Sequence, residues 1–114
     1  MVVPELRVTV EFGAESQGGP TVTVAGEVDI QTSPILEEQL VSVLDQGLSS
    51  VVVDLGQVTF LDSTGLSVLL AGLKRCQTAG GNLRVVSPQP NVRRVFAVTG
   101  LSEAFQLAPE EQAP

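Results

Sequence analysis

The sequence predicts an α/β domain: a mostly parallel sheet of four to five strands, opened by an antiparallel hairpin and packed against helices. Three observations predict it. Segments with period-two alternation, and one short continuous apolar run, take turns with segments of helical periodicity. Glycine, proline and aspartate punctuate the joins. The chain has 114 residues, the size of a single domain, and such a length hides roughly two thirds of its unfolded surface on folding. One domain is expected over residues 1–114, with its core between about 6 and 108.

Leu6–Phe12 alternates apolar and polar, through Leu6, Val8, Val10 and Phe12, as a half-buried strand does. Gly13–Pro20 is a polar, glycine-rich loop, and Thr21–Ala25 alternates again, so the two runs form a hairpin. Gly26-Glu27-Val28-Asp29-Ile30 leads out of the sheet. Ser33-Pro34 reads as an N-cap followed by proline at the first helical position. Leu36, Leu40, Val43 and Leu44 then recur at helical spacing, with Ile35 and Val41 beside them and Gly47 as the stop. Val51–Leu55 is a continuous apolar run broken only by Asp54, the mark of a buried parallel strand.

Asp62 caps the next helix, whose buried stripe is Leu66, Leu69, Leu70, Leu73 and Cys76, and Gly80-Gly81 ends it. Leu83–Val86 is a short strand. Ser87-Pro88 opens a third helix with Val92, Val95 and Phe96 inward and Gly100 as its stop. Phe105–Ala108 is a candidate last strand, and Pro109–Pro114 is a polar tail expected to fray. The order is β-β-α-β-α-β-α-β. In such sheets, loops leaving the C-terminal ends of parallel strands gather on one edge, the usual place for sites. The loops at Asp29 and at Asp62-Ser63 should share that edge.

Composition narrows the chemistry. Hydrophobic residues make up 43% of the chain, and its only aromatics are four Phe, so the core rests on Val, Leu, Ile and Ala. There is no histidine, which removes the commonest general base and metal ligand. Cys76 is the single cysteine, so no internal disulfide forms and a zinc site lacks its ligands. The net charge is −7, unevenly placed. Up to residue 62, Arg7 alone stands against ten acids; beyond it, five bases stand against three acids. An acidic domain without a basic stripe is a poor nucleic-acid binder and suits a protein partner with a basic surface. No run approaches the about 20 apolar residues of a membrane span. The start, Met1-Val2-Val3-Pro4-Glu5, lacks the basic flank and long apolar stretch of a signal peptide. A cytoplasmic protein with no membrane insertion is expected.

The informative stretch is Val58-Thr59-Phe60-Leu61-Asp62-Ser63-Thr64-Gly65-Leu66. One reading is a capped helix start and nothing more. The other makes Ser63 a modification point at the first helical position. A helix N-terminus carries unpaired N–H groups and roughly half a positive charge, so a phosphate there could be held without unfolding the helix. Ser63 is a poor catalytic nucleophile. The G-x-S-x-G elbow is missing, no histidine is present, and the only lysine, Lys74, lies about 16 Å along the axis. No G-x-x-x-x-G-K-[ST] phosphate loop occurs either. A binding protein, not an enzyme, is expected, with no catalytic residue, cofactor or metal.

Together with Gly26-Glu27-Val28-Asp29, the Val51–Leu55 run, Asn91-Val92-Arg93-Arg94-Val95-Phe96 and Thr99-Gly100-Leu101, this stretch resembles the STAS domain of bacterial anti-sigma factor antagonists, over about residues 6–108. The resemblance implies a partner that is both anti-sigma factor and serine kinase. Binding frees the sigma factor, phosphorylation of Ser63 dissolves the complex, and a metal-dependent, PP2C-type phosphatase resets it. It also implies a partner-binding patch of Asp29, Asp62, Ser63, Thr64 and Gly65. Thr64 stands where many members carry a second serine, and the chain ends soon after its last predicted strand, where many continue into another helix. STAS-like domains also serve as scaffold subunits of stress-sensing complexes and as accessory or regulatory subunits of membrane transporters; the kept Ser63 favours the switch.

Asp29 reads equally as a partner contact or as a turn residue capping the following helix. Asp54, at a buried strand, suggests a structural hydrogen bond. Cys76 reads as a buried inert thiol, and Arg93 and Arg94 as a solvated face.

Overall fold

The computed structural model describes residues 6–13 and 18–109. The first five residues, the centre of the predicted Gly13–Pro20 loop and the tail beyond Pro109 lie outside the described residues. Strand β1 (Arg7–Glu11) pairs antiparallel with β2 (Thr21–Val28), Arg7 opposite Ala25 and Glu11 opposite Thr21. Helix α1 (Ser33–Leu44) leads to β3 (Val51–Leu61), parallel to β2; helix α2 (Ser63–Thr78) leads to β4 (Leu83–Val86), parallel to β3; helix α3 (Pro90–Val98) follows. The sheet order is β1-β2-β3-β4.

The core forms where strand alternation meets the helical stripes. Val22, Val24 and Val28 of β2, Val51, Val53 and Leu55 of β3, and Leu83 and Val85 of β4 are buried together with Leu36, Leu40 and Val43 of α1 and Leu66, Leu69, Leu73 and Cys76 of α2. The two helices pack side by side. Gly72 permits this: a Cβ there would lie 3.0 Å from Leu83 and 3.6 Å from Leu40. Leu70, placed on the buried stripe by spacing, is only half-buried, because Leu66, Leu69, Leu73 and Cys76 already fill the face turned to the sheet. Val95 of α3 is likewise half-buried, whereas Val92 and Phe96 are buried.

Four further expectations are corrected. Strand β3 runs to Leu61, well past Leu55. Gly56 does not end it, because Asp54 Oδ1 accepts the Gly56 N–H at 2.8 Å and the β2–β3 register slips between Thr23 and Ala25 and again between Gly26 and Glu27. Asp54 thus makes the structural hydrogen bond its position suggested. Thr32, not Ser33, is the N-cap residue of α1, with Pro34 in the first turn. Helix α3 starts at Pro90 instead of Pro88: Ser87 has φ of 59°, and Gln89, held extended ahead of a proline, is the cap.

The predicted last strand at Phe105–Ala108 does not form: Phe105 and Gln106 close a turn, and Leu107 and Ala108 follow it without regular structure. The N–H groups of Phe105, Gln106 and Leu107 bond back to Leu101, Glu103 and Ser102, and Gln106 has φ of 55°, so the segment cannot extend a ladder. One hydrogen bond, Val85 N–H to Phe105 C=O at 3.0 Å, ties it to β4. Phe105 packs edge-on against Phe96, centroids 5.2 Å apart, and both are buried.

Candidate functional site

The ends of β2 and β3 bring the two predicted loops together. Val28 pairs with Leu61 in the last rung, and the Asp62 N–H donates to the Val28 carbonyl at 3.1 Å. Asp29 and Asp62 therefore leave neighbouring strand ends on one edge of the sheet.

Asp62 is extended, with φ of −103° and ψ of −173°, and caps α2. Its Oδ1 accepts the N–H groups of Thr64 at 3.0 Å and Gly65 at 3.1 Å, and the Thr64 hydroxyl as well. Its carbonyl accepts the Leu66 N–H at 3.0 Å. The Thr64 hydroxyl above all, with the two backbone N–H groups, holds the Asp62 carboxyl below its ordinary value against the opposing effect of partial desolvation. Three N–H groups of the first turn are thus satisfied from within, and no described residue takes that of Ser63. The N–H groups of Thr64, Gly65 and Leu66, which looked available to a phosphate from the sequence, are taken.

Ser63 opens the helix and is exposed. No described residue bonds its hydroxyl; its carbonyl accepts from Ser67 Oγ at 2.9 Å. Thr64 is half-buried with its hydroxyl engaged by Asp62. Gly65 is buried. A Cβ on it would lie 2.6 Å from both Leu61 and Val28, so its lack of a side chain lets α2 sit tightly on the strand ends.

Asp29 organises the turn before α1. Its Oδ1 accepts the N–H groups of Gln31 at 2.9 Å and Thr32 at 3.0 Å, while Ser33 N–H reaches its carbonyl at 2.8 Å. The buried Thr32 hydroxyl bonds Glu27 C=O at 2.7 Å. Asp29 therefore fixes a turn as well as standing, half-buried, beside the site.

Two apolar residues at this edge were given no role by sequence reasoning. Ile30 is 73% exposed and Phe60 45% exposed, the latter opposite Glu27 in the register. Their signal was an apolar residue in, or two steps before, a loop leaving a parallel strand. Gln89 and Asn91 were also missed. Their side-chain amides donate to Gly56 C=O at 3.0 Å and Thr59 C=O at 2.7 Å, securing the part of β3 that runs beyond β4.

Cys76 is fully buried, and burial pushes its thiol up, with Arg75 opposing. Arg93 donates to Ala108 C=O at 2.8 Å, and Arg94 is exposed. No helix among the described residues is long and apolar enough to cross a membrane.

The cap makes a testable demand. Asp62→Ala is expected to cost about 0.5–2 kcal/mol at neutral pH. Because the folded carboxyl titrates below the unfolded one, its contribution is full above the ordinary value of about 3.9 and is lost as pH falls through the folded value. Urea titrations from neutral pH into this acid range should therefore show the gap between wild type and Asp62→Ala narrowing as pH falls.

This succession of elements, with a serine opening the helix after the second parallel strand, defines a STAS-type α/β domain. The chain belongs to the STAS domain family, whose model matches residues 12–113. It is 32% identical to an anti-sigma-B factor antagonist of Bacillus subtilis (strain 168), over 80% of this chain and 83% of that protein. It is 38% identical to an anti-sigma-B factor antagonist of Staphylococcus epidermidis, over 75% of this chain and 80% of the relative. A crystal structure of an anti-sigma factor antagonist from Mycobacterium paratuberculosis superposes with a TM-score of 0.80 at 33% identity, covering 93% of this chain and 87% of that one.

Proposed function

We propose that this chain is an anti-sigma factor antagonist whose binding edge is switched by phosphorylation of Ser63. The partner is an anti-sigma factor that is also a serine kinase, and a PP2C-type phosphatase resets the switch. The observation that carries the reading is an exposed, unengaged Ser63 hydroxyl directly after a cap that satisfies the helix without it. Relatives named anti-sigma-B factor antagonists support it.

The contact patch is the edge of Asp29, Asp62, Ser63 and the exposed part of Thr64, with Ile30 and Phe60 as apolar anchors beside them. Apolar side chains rimmed by acids suit a partner with a basic, partly apolar face. Since Asp62 already holds the N–H groups of Thr64, Gly65 and Leu66, the phosphate acts chiefly as added charge, about −1.5 to −2, and bulk.

Incubation with the kinase and ATP is expected to place one phosphate on Ser63 and none on Thr64. Thr64 would have to give up its bond to Asp62 and leave a half-buried position. Phosphopeptide mass spectrometry reads the position. A phosphate on Thr64, or none on Ser63, overturns the switch.

A further inference from the structure

We propose that the outer edge of β1 is a self-pairing edge, on which a second copy of this chain docks its own β1 antiparallel to form a two-fold dimer. Strand β1 ends the sheet, and no described strand pairs with its other side. Such an edge presents unpaired N–H and C=O groups, and folds commonly blunt it with proline, lysine, a bulge or a charge pointing inward. Arg7–Glu11 has no proline, lysine, bulge or inward charge: the register with β2 is unbroken, and the inward-facing residues are Val8 and Val10. Its only protection is its five-residue length and the exposed charges of Arg7 and Glu11, which an antiparallel copy would neutralise.

The order of charges on β1 selects the occupant. In an antiparallel pairing centred on Thr9, Arg7 of each copy stands opposite Glu11 of the other, and Val8 opposite Val10. Arg7, Thr9 and Glu11 share the exposed face, so both charge pairs form at the surface. Parallel pairing in the same register would set Arg7 against Arg7 and Glu11 against Glu11. The strand is therefore self-complementary in one orientation only, as an isologous interface requires. Pairing centred on a residue works whichever of the alternating backbone groups face outward. The exposed Phe12, one step past the strand, falls opposite Leu6 of the second copy and gains cover there.

The result is a continuous eight-stranded sheet. Because the two β1 strands run antiparallel to each other, the second copy's strands are all reversed, so the two Ser63 edges point in opposite directions and both stay open. Dimerisation is thus independent of the phosphorylation switch, and Ser63→Asp should dimerise like wild type.

Analytical ultracentrifugation of the full chain across a micromolar to millimolar concentration series tests this. A reversible monomer–dimer equilibrium is expected, weakened by salt. Arg7→Glu alone and Glu11→Arg alone should each weaken it by about tenfold or more, because like charges then face each other. Mixing these two single variants should restore association as a heterodimer, and the double variant Arg7→Glu/Glu11→Arg should dimerise within about threefold of wild type. Both positions are exposed, and circular dichroism verifies the fold of each variant. A monomer at every concentration, which leaves the edge to a strand of some other protein, overturns the proposal. So does a dimer indifferent to the single reversals, or one that the mixture fails to restore.

Discussion

Protein phosphorylated on Ser63 is expected to bind its anti-sigma partner roughly 30- to 1,000-fold more weakly than the unmodified form, a loss of about 2–4 kcal/mol. The size follows from where the charge lands. Asp62 is held ionised by the Thr64 hydroxyl and two backbone N–H groups, and Asp29 ends the neighbouring strand. A dianionic group placed there must be desolvated when the edge is covered, and the Thr64 and Gly65 N–H groups that would offset it are already bonded to Asp62. The anchors Ile30 and Phe60 stay in place, so the loss comes from the charge and bulk alone.

The fold should not change on phosphorylation, since no bond of the α2 cap involves the Ser63 hydroxyl. Titration calorimetry of both forms, with circular dichroism alongside, measures this. Ser63→Ala should bind like the unmodified protein and should not be released by kinase and ATP. Equal affinity of the two forms would remove the switch, even with the phosphate on Ser63. Loss of binding in Ser63→Ala would show instead that the hydroxyl itself is a contact.

Much of this site was legible in the sequence, because its parts are local. Asp62 as cap, Ser63 as first helical residue and Gly65 as a point of close approach all depend on neighbours within a few positions. The shared edge of Asp29 and Asp62 also followed, because both loops leave parallel strands. What remained hidden depends on distant residues. That the Thr64 and Gly65 N–H groups are taken was not legible, since Asp62 Oδ1 serves three donors only once Thr64 has chosen its rotamer. The length of β3 was hidden because Gly56 looks like a terminator until Asp54 takes its N–H. The side-chain amides of Gln89 and Asn91, more than thirty residues from their acceptors, carry no periodic signal. Phe105 had a strand's composition, but burial against Phe96 and the bonds back to Leu101, Ser102 and Glu103 fold it into a turn. Gly65, grouped with the partner-binding residues by the family pattern, is buried where a Cβ would meet Leu61 and Val28.

Leu69→Ala is expected to destabilise the protein by about 2–5 kcal/mol, the range for emptying a fully buried leucine site. Leu69 has no exposed surface and lies on the face of α2 turned to the sheet. Leu70, its neighbour, is only half-buried, so Leu70→Ala should cost less than half as much. Ser63→Ala should fall within about 0.5 kcal/mol of wild type, as substitutions at exposed positions outside caps and cores do. A chain of this size has only about 5–15 kcal/mol of stability in total, so Leu69→Ala should shift the urea midpoint strongly while leaving the slope unchanged. The three variants on one helix separate what the fold needs from what the switch needs. Ser63→Ala as damaging as Leu69→Ala would make Ser63 a structural residue. Leu70→Ala equal to Leu69→Ala would mean that α2 sits rotated, with Leu70 in the core and the Ser63 face turned accordingly.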